Sequence, residues 1–182
     1  MRVAVQDANI LIDLELANLL DSWLSLGVET HTTDLIVRQL VAGDHREALA
    51  RIQSGHIRSH TLDASEMTEM VDLFMRLSGG PDLNDCSVLY LARKLEATLL
   101  TGDRPLRIEA ERLQVEVHGT LWILDRVVEA AAISPAFAAA RLRGLLDAGR
   151  FLPLRECEIR IRRWESGMTG MRPGGTGSKQ EE

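Results

Sequence analysis

The sequence predicts an α/β fold: a parallel sheet with helices packed on both faces. Three observations carry that expectation. Short apolar runs such as Val3-Ala4-Val5 and Ala97-Thr98-Leu99-Leu100 alternate with segments of helical periodicity. The chain has 182 residues and 45% hydrophobic content, enough to bury one sizeable core. Two of the apolar runs lead into an aspartate, Asp7 and Asp103, and each is followed at once by helix-like sequence.

The elements follow in order. Residues 3–6 predict the first strand. A helix from Asn9 places Leu16, Ala17, Leu20 and Leu24 on one face, with Gly27 as its C-cap. Residues 28–33 predict a second strand, and Asp34 is the expected N-cap of a helix carrying Ile36, Val37, Leu40 and Val41. A short helix over residues 46–54 and a third strand over 57–62 come next. Asp63 and Glu66 make a capping box, after which Met67, Met70, Val71, Phe74 and Leu77 form a core stripe. The run Ser78-Gly79-Gly80-Pro81-Asp82 reads as a loop. It leads into a helix from about Asn84 that buries Val88, Leu91, Ala92 and Leu95.

The fourth strand is expected to run to Asp103, and Pro105 to begin the next helix. Residues 114–118 predict a fifth strand and 120–132 a helix. Ser134-Pro135 opens another helix, closed by Gly149. Residues 154–164 fit strand alternation through Cys157, Ile159 and Ile161, and helical spacing through Ile161 and Trp164; helix is the expectation. The last residues are rich in Gly, Ser, Lys and Glu without periodicity. The expected organisation is one domain over 1–165 and a disordered tail over 166–182.

Composition narrows the function classes. No apolar run reaches the ~18 residues of a transmembrane helix, so no membrane partner is expected. The first strand begins so early that no signal peptide is expected. Cys86 and Cys157 are too few and too isolated for a disulfide framework or a zinc site. A reducing cytoplasm is the expected setting. The net charge of −6 does not predict a wide basic surface for nucleic acid. Residues 141–163 nevertheless hold seven arginines, either a solvated helix face or a phosphate-contacting flank.

The chemistry centres on acids. In open α/β sheets ligands bind in the crevice at the carboxyl ends of the strands, so Asp7 and Asp103 are expected to face one crevice. Carboxylates held together repel unless a cation or proton neutralises them, and a divalent metal is the economical neutraliser. Asp85 sits in the first turn of the helix before the fourth strand. Gln39 lies between Val37 and Leu40 in the helix after the second strand. Taken singly, Asp85 and Asp103 also read as helix N-caps, Asp7 as a turn residue and Gln39 as surface. Caps alone, however, need not converge on one sheet edge.

Three motifs in order complete the reading: Asp7-Ala8-Asn9-Ile10-Leu11-Ile12, then Asn84-Asp85-Cys86-Ser87-Val88-Leu89-Tyr90-Leu91-Ala92, then Leu99-Leu100-Thr101-Gly102-Asp103. Together they resemble a PIN domain from residue 3 to about residue 125, continued by His118-Gly119-Thr120-Leu121-Trp122. The helical remainder to Trp164 resembles the C-terminal extension of some bacterial and archaeal members. The resemblance implies a three-layer α/β/α sandwich on a five-stranded parallel sheet. It implies a Mg²⁺- or Mn²⁺-dependent endoribonuclease that hydrolyses phosphodiester bonds of single-stranded or structured RNA. Asp7, Asp85 and Asp103 would hold the metal, with Asn9, Gln39 and Thr101 supporting the pocket and Arg38 and Arg104 as candidate phosphate contacts. Many members are toxins inhibited by a small antitoxin protein, others process RNA alone, and homodimers are common.

Gln39 departs from the glutamate usual at its place. It keeps an oxygen but supplies no negative charge, so a second hard cation should bind less well; Glu47 is a candidate substitute. A catalytically weakened scaffold that binds RNA or protein is therefore the alternative. A receiver-like signalling domain also places acids at strand ends. It should carry a lysine after its last strand, where this chain has His118-Gly119.

Overall fold

The small and β-branched run Val3-Ala4-Val5-Gln6 forms β1 (Val3–Gln6), which pairs in parallel on both sides. The computed structural model describes residues 3–77 and 80–167. β2 (Glu29–Thr33) and β3 (Ile57–His60) extend the sheet on one side of β1; β4 (Thr98–Leu100) and β5 (Val117–His118) extend it on the other. The order is β3-β2-β1-β4-β5, all parallel. The chain thus moves outward from β1 to β3 and returns beside β1 with β4. That reversal is a topological switch point, where open α/β sheets form their ligand crevice.

Helices make every crossover. They are α1 (Ala8–Leu16) and α2 (Leu20–Leu24), α3 (Asp34–Ala42) and α4 (Arg46–Gln53), α5 (Ala64–Arg76) and α6 (Leu83–Lys94), and α7 (Arg104–Arg112). After β5 come α8 (Thr120–Glu129), α9 (Pro135–Asp147) and α10 (Leu154–Glu165). The expected three-layer α/β/α architecture holds. In α6 every residue from Cys86 to Ala92 is buried. Such a helix is apolar all round because it is covered all round, and α6 touches β1, β2, β4, α3, α5 and α7. No described helix is long and apolar enough to cross a membrane.

Several boundaries differ from the sequence expectation, each for a local reason. The first helix is two. Asn18 adopts φ +55° and breaks the run, leaving Leu16 51% exposed, while Leu20 belongs to α2; asparagine tolerates that left-handed backbone better than most residues. The cap of α3 is Thr33, whose Oγ1 accepts from Ile36 N, and Asp34 is the first helical residue. Val41 is exposed. β4 stops at Leu100, and Asp103 instead caps α7 by accepting from Leu106 N at 2.7 Å. β5 is only two residues long, because Gln114 turns with φ +59°. Of the expected α5 stripe, Met70 is buried, Met67, Phe74 and Leu77 are partly buried against the core and Val71 faces out, while Leu73, outside the stripe, is buried. Residues 154–164 are helical: Cys157, Ile161 and Trp164 are buried at helical spacing and Ile159 is not. Residues 78–79 of the glycine loop and 168–182 of the expected tail lie outside the described residues.

A candidate acidic active site at the switch point

Asp7 follows β1 directly and caps α1. Its Oδ1 accepts from Ala8 N at 2.6 Å; its Oδ2 accepts from Asn9 Nδ2 and Thr101 Oγ1, both at 2.8 Å. The loop after β4 is tied to it twice more. Asn9 Oδ1 accepts from Gly102 N at 2.9 Å, and Thr101 Oγ1 accepts from Asp103 N at 3.0 Å. Asn9 and Thr101 therefore brace Asp7 and the Asp103 loop together. Only 3% of Asp7 is exposed. Burial pushes its carboxyl up to about 6; the hydrogen bonds from Thr101 and Ala8 oppose this, and the charges of Asp103 and Asp82 add to it.

Asp85 is the third residue of α6 and shares a reciprocal capping box with Asp82. Asp82 N donates to Asp85 Oδ2 and Asp85 N to Asp82 Oδ1, each at 2.9 Å. Burial pushes Asp85 up to about 7, against the Asp82 backbone hydrogen bond, and the charges of Asp7, Asp82 and Asp103 push the same way. Asp7 and Asp85 thus each serve at a helix start and are raised first by burial and then by neighbouring carboxylates.

Asp82 was missed at the sequence level, although its position three residues before Asp85 is a capping-box spacing. Gly80 helps bring it there. Its φ is +107°, and a Cβ at Gly80 would lie 2.9 Å from Pro105 Cβ, so the loop before α6 lies tight against the start of α7.

Arg107 and Arg150 were also missed. Arg107 Nη2 donates to Thr101 O at 3.1 Å and Nη1 to Val117 O at 3.4 Å, joining the ends of β4 and β5. A Cβ at Gly119 would lie 3.0 Å from Arg107 Nη2, so glycine permits that approach. Arg150, between α9 and α10, pairs with buried Asp13 of α1 and donates to Asn9 O at 3.3 Å. Thr120 Oγ1 donates to the other Asp13 oxygen. No short-range pattern in the sequence marks these long-range pairs.

Other expected site residues stand apart. Gln39 and Arg38 are exposed on α3, and Arg38 lies 3.6 Å from Asp34. Among the described residues no hydrogen bond joins Gln39 to the acids. Glu47 is exposed on α4 and lies 3.8 Å from Arg51. Arg104 is exposed at the start of α7, next to Asp103. In the basic stretch, Arg143, Arg150, Arg160, Arg162 and Arg163 pair with Glu165, Asp13, Asp125 or Glu158. Arg141 lies over the Phe137 ring at 4.4 Å. Most of that charge is spent within the fold.

The donor set fits a hard divalent cation in its chemistry, being carboxylate oxygens whose charges repel. Its present conformation is a capped one: among the described residues no three His, Cys, Asp or Glu side chains stand close enough to hold a metal ion. Oxygens of Asp7, Asp85 and Asp103 are turned to backbone N–H groups. No curated protein matches the chain. A family model described as a PIN domain matches residues 3–166, and the parallel sheet, the crossover helices and the switch-point crevice agree with it. The chain therefore belongs to the PIN domain family and has its nuclease-type fold.

Proposed function

We propose that this protein is a Mg²⁺- or Mn²⁺-dependent endoribonuclease whose metal is held by Asp7, Asp85 and Asp103, within one functional unit spanning residues 1–165. The observation that carries the reading is the gathering of acids at the switch point, where burial first and neighbouring carboxylates second raise Asp7 to about 6 and Asp85 to about 7. Perturbed carboxyls gathered in a crevice mark a functional site more often than a structural one. A bound divalent cation supplies positive charge to the phosphodiester and makes water a better nucleophile.

The chain's own residues do the rest. Asn9 and Thr101 fix the Asp7 carboxylate in one orientation. Asp7 or Asp85 takes the proton of the attacking water. Arg104, exposed one residue past Asp103, contacts the RNA phosphate, and Arg38 does so from α3 if released from Asp34. The N-terminal ends of α1 and α7 point positive helix-dipole ends into the same crevice, which favours an anionic backbone there.

Purified protein should cut labelled single-stranded RNA in millimolar Mn²⁺. Asp7→Asn and Asp103→Asn should each abolish cleavage with the circular dichroism spectrum unchanged. Wild-type rates in either variant would end this reading. The reading extends to a toxin–antitoxin setting, with a small partner covering the crevice and a homodimeric toxin. A short upstream open reading frame encoding a DNA-binding motif, and a dimeric mass by light scattering, are its signatures.

Gln39 favours a second reading, a weakened PIN scaffold that binds RNA or protein without cutting. Gln39→Glu discriminates. If residue 39 turns into the acidic pocket in the metal-bound nuclease, the substitution should tighten Mn²⁺ about tenfold or more by calorimetry, the scale of one charged group, and raise the cleavage rate. Because Gln39 is exposed, stability should change by less than about 0.5 kcal/mol. Unchanged affinity and rate would place residue 39 outside the metal site.

A further inference from the structure

Beside the acids, a cavity of about 370 Å³ opens between the loops after β4 and β5 and the segment joining α9 to α10. Gly102, the neighbour of Asp103, forms one wall, so the cavity borders the loop that carries Asp103. Arg107, Trp122, Phe151, Leu152 and Pro153 also line it. Its volume lies within the ~300–1,000 Å³ of small-ligand sites.

Two features ask for an occupant. Phe151 is 100% exposed, yet it does not sit on a loose tip. The preceding residue, Arg150, is anchored to Asp13 and to Asn9 O, and Arg150 N bonds Leu145 O at 3.0 Å. The following residues Leu152 and Pro153 lead straight into α10, and Leu152 packs on the core. The backbone that carries this exposed ring is thus anchored on both sides at the rim. Arg107 is the second feature. Its guanidinium meets two carbonyl oxygens, and among the described residues no carboxylate pairs with it. Glu156 also lines the cavity, but its carboxylate lies 3.4 Å from Arg160, so Arg107 lines it with no ion-pair partner among the described residues.

An aromatic ring and a guanidinium without a carboxylate partner, lining one cavity, suit a nucleotide. Proteins hold unpaired bases by stacking on aromatic rings and hold their phosphates with arginine. We propose that this cavity is a subsite for one unpaired nucleotide next to the scissile bond, with Phe151 stacking on the base and Arg107 facing its phosphate. The proposal rests on the reading that Asp7, Asp85 and Asp103 cleave RNA, and it makes the substrate single-stranded at that position.

The test uses the full chain and a single-stranded RNA dodecamer carrying 2-aminopurine, whose fluorescence is quenched on stacking. Binding is measured in EDTA, and cleavage separately in Mn²⁺. Phe151→Leu should weaken binding about tenfold, the scale of one lost base stack, and lose the quench. Phe151→Trp should restore both. In Mn²⁺ the Leu variant should raise KM with kcat nearly unchanged, and a fully paired duplex should be insensitive to it. If the wild type binds with Phe151-dependent quenching but does not cut, the subsite stands and the nuclease reading falls. If it cuts with affinity and quench independent of Phe151, the nuclease reading stands and the subsite is overturned, leaving the ring to a protein partner. No binding of single-stranded RNA overturns the subsite outright.

Discussion

At the scale of single residues, Asp7 holds opposing forces in one carboxyl. Three donors favour its charge, and burial wins against them. A carboxyl titrating near 6 when folded and near 3.8 when unfolded binds its proton more tightly in the native state. Its stabilising contribution is therefore complete below about pH 4 and is lost as pH rises through about 6; for Asp85 the loss continues through about 7. The partly buried His31–His60 pair, Nδ1 to Nε2 at 2.6 Å, acts in the opposite direction. Burial lowers both histidines, so their neutral forms gain stability as pH rises toward the ordinary histidine range. Comparison with variants separates the two effects. In EDTA, between pH 5 and pH 8, the wild type should lose stability relative to Asp85→Asn by about 2–3 kcal/mol, since a tenfold change in proton affinity is worth roughly 1.4 kcal/mol. Urea unfolding of both proteins across that range checks it. Parallel pH profiles would mean that Asp85 is not perturbed.

At the scale of elements, the helical extension is joined to the acidic edge through Arg150. The pair with Asp13 is intermediate in exposure, at 27% for the arginine side chain and 6% for the aspartate. Surface pairs are worth about 0–1 kcal/mol, and losing one partner of a buried pair costs about 3–5. Arg150→Met should therefore destabilise by about 2 kcal/mol in urea, while Arg162→Met, whose pair with Glu158 is exposed, should cost less than about 0.5. Equal effects would deny Arg150 its anchoring role. This pair also shows which parts of the molecule are legible in sequence. Elements announced by local chemistry are read well: the Asp63–Glu66 capping box, the Ser134-Pro135 helix start and the helical spacing of Ile161 and Trp164. The five-stranded parallel sheet follows from the alternation of strands and helices and from the family resemblance. What depends on distant partners is not legible. Asp13 is an ordinary helix residue until Arg150 and Thr120 reach it. The apolar stripe from Leu16 to Leu24 reads as one helix because periodicity does not register the turn at Asn18. Asp7, Asp85 and Asp103 were visible as acids at element boundaries, and Asp82 was hidden in a loop defined by its glycines.

At the scale of the whole molecule, the topology itself places acids together. β1 and β4 are sheet neighbours although 91 residues separate the end of β1 from the start of β4. Folding must therefore bring Asp7 beside Asp103, and α5 and α6 complete the crossover that sets Asp85 there too. The native state gathers this charge and an extended chain does not, so a cation that fits the gathered acids binds the folded state alone. Such a ligand stabilises by mass action, about 2.7 kcal/mol at a hundred times its Kd. For a chain of this length each kcal/mol moves the melting temperature by roughly 2–4 °C. Saturating Mn²⁺ should then raise the wild-type melting temperature by about 5–10 °C above its value in EDTA. Asp85→Asn begins from a less repulsive native state, so it should melt higher than the wild type in EDTA at pH 8 and gain less from Mn²⁺. Scanning calorimetry of both proteins with and without the metal measures all four temperatures. An equal rise in the two would remove Asp85 from the metal site, and no rise in either would leave the gathered acids as helix caps.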